Sequence, residues 1–159
     1  MKTTPHCIEC GQPVSWGVHF FSKRIYGHTL CMTDQVKIEE SGATARAVDL
    51  YLALKARSFP VVLEYWDDHR HIDIALPGKL YIEISDPYYD KGRRIMADLS
   101  RAIYALEKKI PSLVIPVSIL ENPVTFEFAV NEISKACRLT MKKSVVTGMK
   151  LAFSREQLQ

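Results

Sequence analysis

The chain lacks several features that mark special classes of protein. No stretch of its 159 residues approaches the roughly 20 consecutive apolar residues that a membrane-spanning helix needs. No basic-then-apolar secretory signal stands at its start, and no internal repeat or low-complexity run is visible. These absences indicate an ordinary globular protein without a membrane partner, and we expect it in the cytoplasm.

The chain also lacks a strong excess of charge of either sign. Its 21 Lys and Arg residues against 18 Asp and Glu residues leave a formal charge of +3, too weak to indicate a nucleic-acid partner by itself. The basic residues are nevertheless grouped, after the middle of the chain and again near its end. The candidates for contacts with phosphate are Arg93, Arg94, Lys142 and Lys143. The alternative is a solvated helix face and a soluble tail.

Cysteine is scarce, but three of the four cysteines lie within the first 31 residues. Cys7 and Cys10 form a CxxC pair followed by Gly11, a turn that lets two thiolates converge on one ion. Cys31 supplies a third ligand, and either Asp34 or His28 completes a four-ligand zinc site. The alternative is a knuckle without zinc, held together by aromatic packing of Trp16, Phe20, Phe21 and Tyr26.

Two segments that alternate apolar and polar residues flank Pro77-Gly78-Lys79. Alternation with period two is typical of strands, so residues 71–76 and 80–85 are predicted to form a hairpin. Leu76 then pairs with Leu80, and Asp73 with Glu83. Like charges directly opposite each other destabilise a sheet, whereas a divalent cation between two carboxylates attracts both. One predicted face is apolar (Ile72, Ile74, Leu76, Leu80, Ile82, Ile84) and the other polar (His71, Asp73, Tyr81, Glu83, Ser85).

Asp73, followed ten residues later by Glu83-Ile84-Ser85 in a strand, resembles the motif of the PD-(D/E)XK nuclease superfamily. Residues 65–75, 98–104 and 113–117 are similar to segments of very-short-patch-repair endonucleases, so that the resemblance covers about residues 42–138. It implies an α/β restriction-endonuclease-like fold, a mixed sheet flanked by helices. It also implies DNA as the partner, with Asp73 and Glu83 as ligands of a catalytic magnesium or manganese ion.

The motif departs from the family pattern in two places. Ser85 occupies the usual lysine position and cannot accept a proton at neutral pH, and Tyr89 stands where relatives often have histidine. His71, on the same predicted face as Asp73, is the candidate for the water-activating base or an extra ligand. It is alternatively a polar residue at the flank of the hairpin. The candidate catalytic residues are therefore Asp73, Glu83, His71 and Ser85.

The remaining elements follow from spacing and capping signals. Helices are predicted over 43–57 with Thr44 as N-cap, over 92–109, and from Asn122-Pro123 to about Arg138. Strands are predicted over 61–65, ending in a turn at Asp67-Asp68, and over 110–120, interrupted by Pro116. Residues 37–43 are interpreted as a linker between a zinc-knuckle-like module (1–36) and the nuclease-like domain (42–159). Cys137 is expected to be a buried small hydrophobe.

These patterns together predict a metal-dependent DNA endonuclease-like protein with a structural zinc. The alternative is a non-catalytic DNA-binding or protein-interaction module with the same fold. The oligomeric state is not indicated by the sequence.

Overall fold

The computed structural model describes residues 3–85, 99–100, 103–104 and 107–156, and of residues 143–156 it describes the backbone only. Among the described helices, none is long and apolar enough to cross a membrane. The described parts of the predicted helix over 92–109 (99–100, 103–104 and 107–108) are helical. Arg93, Arg94 and Tyr89 lie outside the described residues, as does the side chain of Lys143.

Three helices precede the sheet: α1 (Trp16–Tyr26), α2 (Met32–Glu40) and α3 (Ala45–Ala56). The hydroxyl of Thr44 accepts a hydrogen bond from the Ala47 amide at 3.2 Å, which confirms Thr44 as the N-cap of α3. The interpretation of residues 37–43 as a linker is wrong for residues 37–40, because these residues form the last part of α2. Ile38 faces the main core, and this burial holds the last turn of α2 in place.

The described residues form a sheet of four strands in the order β1 (Val62–Trp66), β2 (His71–Leu76), β3 (Leu80–Ser85) and β4 (Ser112–Pro116). The first three form an antiparallel meander, and β4 runs parallel to β3. The predicted hairpin and its register are confirmed, since Leu76 pairs with Leu80 and Ile74 with Ile82. The protein therefore has the predicted α/β class, with a mixed sheet flanked by helices.

The predicted division of the hairpin into an apolar and a polar face is wrong in part. Ile74, Leu76, Leu80 and Ile82 join the main core, as expected. Ile72, however, packs with Ala75 and Tyr81 in a second buried cluster, against Tyr65, Tyr104 and Ile110. Regular alternation is disturbed opposite this stretch, where Glu64 of β1 has a positive φ of 46°. Because Tyr104 belongs to the segment after β3, helical structure covers this face of the sheet as well.

The chain after β3 differs from the expectation in two places. The strand predicted over 110–120 ends at Pro116, and residues Val117–Glu121 form a short helix, α4. The following helix, α5 (Pro123–Glu156), begins as predicted, with the Asn122 side chain accepting from the Val124 amide at 2.9 Å. It continues past Arg138 through Gly148, since one glycine costs a helix only about 1 kcal/mol. Cys137 is fully buried, as predicted.

One hydrophobic core joins the N-terminal residues to the rest of the protein. Cys7, Val14 and Leu30 belong to the same buried cluster as Leu50 of α3 and Ile82 of β3. The N-terminal module and the sheet are therefore packed together.

Candidate metal centre

Backbone hydrogen bonds, which do not involve a metal, hold the CxxC turn. The Cys7 amide donates to Gln12 O, and the Gly11 amide to Cys7 O, each at 2.9 Å. Gly11 has φ +71°, a conformation that glycine adopts without strain. The Ile8 amide donates to Thr29 O at 2.9 Å, which brings the turn beside the segment that leads to Cys31.

The start of α2 supplies the other two ligands. Cys31 is the N-cap residue, and Asp34 lies in the first helical turn, three residues later. This spacing places both side chains on the same side of the helix start. The unpaired amides and the helix dipole at the start of α2 also favour negative charge at this position. The sequence therefore folds so that a thiol and a carboxylate face the CxxC turn.

Four potential ligand atoms, from Cys7, Cys10, Cys31 and Asp34, lie within 4.8 Å of one another and could hold a metal ion. The Asp34 Oδ2 atom is 3.2 Å from the sulfur of Cys7 and 3.2 Å from that of Cys31. The sulfurs of Cys10 and Cys31 are 3.8 Å apart. Tetrahedral zinc with bonds of about 2.3 Å to sulfur and 2.0 Å to oxygen requires sulfur–sulfur separations of about 3.8 Å and sulfur–oxygen separations of about 3.5 Å. The donor set and its spacing fit such an ion.

The electrostatics favour a negatively charged Asp34. Burial by itself would raise the pKa of this carboxyl, but hydrogen bonds from the surrounding thiols and from Lys37 outweigh it and lower the pKa to about 2. The Lys37 ammonium lies 3.0 Å from Oδ1 and is largely exposed, so solvent screens its charge. Asp34 is therefore ionised and able to act as an oxygen ligand on the side that faces the thiols.

His28, the alternative fourth ligand, is not part of this group. It is half-buried and lines a separate cavity of about 270 Å³ together with Tyr26, Arg46, Asp49 and Phe126. Burial lowers its pKa, with a further contribution from nearby Lys23. The structure thus brings Asp34, and not His28, to the three cysteines.

The alternative of a knuckle stabilised by aromatic packing has little support in the geometry. Trp16, Phe20 and Phe21 are all exposed, so these rings do not form an interior. Tyr26 is half-buried, with its hydroxyl donating to Glu39 at 2.9 Å. What fills the interior of the module is the ligand group itself, with Val14 and Leu30.

Glu9, inside the CxxC turn, ties the module to α3. The Tyr51 hydroxyl donates to Glu9 Oε2 at 2.6 Å, and the Lys55 ammonium lies 3.1 Å from Glu9 Oε1. Burial and the neighbouring Glu9 raise the pKa of Tyr51, so this phenol stays protonated and remains a donor. Glu9 thus connects the CxxC turn to α3 through two side-chain contacts.

The carboxylates of the hairpin lie in a different part of the protein. Asp73 is half-buried on β2, and its Oδ2 accepts a hydrogen bond from the Ile84 amide at 2.6 Å. Glu83 is buried on β3, and its Oε1 lies 3.3 Å from Nη1 of Arg70. The Asp73 side chain therefore reaches across to the backbone of β3 at the residue after Glu83.

The other predicted catalytic residues lie nearby. His71 begins β2 and is exposed, with its ring 5.0 Å from that of Trp66. Ser85 ends β3 and is half-buried. Lys142, predicted to contact nucleic acid, is exposed on α5.

Sequence reasoning missed Arg70 as a member of this region. The predicted turn at Asp67-Asp68 positions it, since Asp67 Oδ1 accepts from the amides of His69 and Arg70 at 3.1 and 3.0 Å. The guanidinium of Arg70 lies over the Tyr104 ring, 5.2 Å from its centroid. An Asx turn just before the hairpin was the available signal, but the partners of Arg70 come from distant parts of the chain.

Comparison with known proteins gives no match: no family model, no curated protein and no solved structure matches this chain.

Metal content tests the ligand group directly. We expect one tightly bound metal ion per chain in the parent protein and its loss in Cys31→Ser, because a tetrahedral thiolate site does not survive removal of a sulfur. Asp34→Ala should weaken binding by at least about tenfold, whereas His28→Ala should bind like the parent. The measurement is elemental analysis combined with chelator competition.

The matched control is Cys137→Ala, which removes a cysteine buried away from the site. An unchanged metal content in Cys31→Ser, or loss of the metal in His28→Ala, would contradict the assignment.

Proposed function

We propose that this protein is a metal-dependent DNA endonuclease-like protein whose N-terminal module is stabilised by zinc. The observation that carries the proposal is the hairpin geometry. The pairs Ile74–Ile82 and Leu76–Leu80 fix the register, and the Asp73 carboxylate lies 2.6 Å from the amide that follows Glu83. Two carboxylates on neighbouring strands, with the backbone carbonyl of Ile84, would be the donor set for a hard divalent cation.

The order of elements supports the same proposal. Helix α3 is followed by the three-stranded meander, a segment with helical residues and the parallel strand β4. This is the helix, three strands, helix and strand that the resemblance to the PD-(D/E)XK superfamily implies. Topology alone is shared by proteins of many functions, so the assignment depends on the hairpin residues.

Zinc is the metal proposed for the N-terminal site because of its ligands. Three thiols and a carboxylate suit zinc, whereas magnesium and manganese favour oxygen ligands. All four positions of a tetrahedron are taken by protein, which is typical of a structural site.

For hydrolysis, a magnesium or manganese ion held by Asp73 and Glu83 would polarise the phosphate and lower the pKa of an attacking water. The chain's own residues have the remaining tasks. The exposed imidazole of His71 lies on the same strand as Asp73, two residues away, and is the candidate to accept a proton from water. Exposed Lys142 is a candidate for phosphate contact, and Arg93, Arg94 and Lys143 remain predictions from the sequence.

A second candidate function, DNA binding without cleavage, is favoured by the partners of the two carboxylates. Glu83 lies against the Arg70 guanidinium, and Asp73 accepts the Ile84 amide. Such contacts stabilise a sheet without any metal. With Ser85 in the lysine position, they also suit a member of the superfamily that has lost hydrolysis.

Plasmid cleavage decides between these functions. We expect the parent protein to nick supercoiled DNA with magnesium or manganese, and Asp73→Asn and Glu83→Gln each to lose more than about 100-fold of the rate, because each removes a metal ligand. The control is Asp68→Asn, which changes an exposed carboxylate of the preceding turn and keeps a residue that tolerates its positive φ of 72°.

Cleavage that persists in both hairpin variants would rule out the proposed site. DNA binding by a parent protein that never cleaves would support the second function.

The ion pair between Arg70 and Glu83 allows a separate prediction about the stability of the protein. Arg70→Met should lower the free energy of unfolding by about 1–3 kcal/mol, since it removes the cation beside a buried carboxylate, and the partial exposure of Arg70 limits the cost. Manganese should stabilise this variant more than the parent, because the ion replaces the lost positive charge.

Thermal unfolding with and without manganese measures both effects. Arg57→Met, which removes an arginine paired with Glu127 on the surface, is the control. An equal manganese shift in parent and Arg70→Met would contradict the expectation that the ion replaces the positive charge of Arg70.

A further inference from the structure

Helix α1 presents its aromatic side chains to solvent. Trp16, Phe20, Phe21 and Ile25 are 43%, 65%, 54% and 55% exposed. The rings of Trp16 and Phe20, one helical turn apart, lie with their centroids 5.8 Å from each other. Large apolar side chains grouped on one surface in this way mark an interaction site more often than isolated ones do.

The same helix turns polar side chains inward. Ser22 is fully buried, and its hydroxyl accepts from the Leu30 amide at 3.1 Å and donates to His19 O at 3.2 Å. His19 Nδ1 lies 2.8 Å from the Thr29 hydroxyl. His19 and Ser22 are thus bonded inside the module, whereas Trp16, Phe20 and Phe21 remain exposed on its surface.

Two cations lie on the same helix as these rings. Residues 10–33 contain no Asp or Glu, and Lys23 and Arg24 lie in the last turn of α1. An uncovered aromatic surface on a helix that also carries cations is complementary to a partner that is both anionic and aromatic. A single nucleic-acid strand has that combination, because its phosphates are charged and its unpaired bases stack on aromatic rings.

We propose that the surface formed by Trp16, Phe20, Phe21, Lys23 and Arg24 binds unpaired nucleotides. Bases stack on Trp16 and Phe20, and the two cations contact the flanking phosphates. The inference rests on the proposed function in that nucleic acid is the substrate. It adds that the N-terminal module selects DNA with unpaired bases, such as a strand end, bubble or flap.

Tryptophan fluorescence tests the proposal in the full-length protein, with no divalent cation added to the zinc-loaded chain. The background variant Trp66→Phe leaves Trp16 as the reporter, since the chain has two tryptophans. The probes are single-stranded (dT)15, a 15-base-pair duplex, and vesicles of phosphatidylcholine and phosphatidylserine. We expect (dT)15 to quench Trp16 and to bind at least tenfold more tightly than the duplex.

Phe20→Leu separates stacking from hydrophobic contact, because leucine keeps an apolar side chain and removes the ring. It should weaken (dT)15 binding about tenfold, in line with the loss of one stacked base. Phe128→Leu on α5, where Phe128 is equally exposed at 66%, is the matched control and should bind like the parent. Replacing Lys23 and Arg24 by Gln should reduce the dependence of binding on salt.

Binding of (dT)15 that Phe20→Leu leaves unchanged would overturn the proposal, and so would a surface that binds vesicles but not (dT)15. Strand binding together with absent cleavage would leave this inference standing and remove only the proposed hydrolysis. Cleavage without strand binding at α1 would leave the proposed hydrolysis standing and overturn this inference.

Discussion

The contact between Asp34 and the thiols of Cys7 and Cys31 organises the N-terminal part of the structure. Oδ2 lies 3.2 Å from each sulfur, in a position that is almost fully buried. It joins the CxxC turn to the start of α2, two segments more than 20 residues apart in the chain. Hydrogen bonds from the thiols and from Lys37 stabilise the ionised carboxylate, which is therefore able to act as an oxygen ligand. A metal ion held by this group would fix both segments together.

The effect of this centre extends beyond the module. Cys7 belongs to the hydrophobic core that also contains Leu50 and Ile82, and Glu9 binds Tyr51 and Lys55 of α3. Helix α3 in turn packs on the same core as the hairpin that carries Asp73 and Glu83. Loss of the metal is therefore expected to loosen the support of the sheet as well as the turn itself, since the two parts share buried side chains. The exposed rings of α1 belong to the same module, so a metal ion at this centre would support both the proposed strand-binding surface and the hairpin scaffold.

Features set by neighbouring residues could be predicted from the sequence. The CxxC turn, the Thr44 cap and the hairpin register each depend on a few adjacent residues, and each was predicted correctly. The continuation of α2 to Glu40 could not be foreseen, because it depends on burial of Ile38 against distant elements. Ile72 packs in the second buried cluster, whose other members come from distant parts of the chain, so its face could not be predicted from the alternation within β2. Arg70 and Tyr104 meet only through the fold, and no local pattern indicates their contact. The choice between Asp34 and His28 was likewise open until the path of the chain was known.

X-ray absorption at the zinc edge of the purified protein tests the central claim most directly. We expect three sulfur atoms at about 2.3 Å and one oxygen at about 2.0 Å, without the multiple scattering of an imidazole ring. A shell with fewer than three sulfurs, or one with a clear histidine contribution, would contradict the proposed centre of Cys7, Cys10, Cys31 and Asp34.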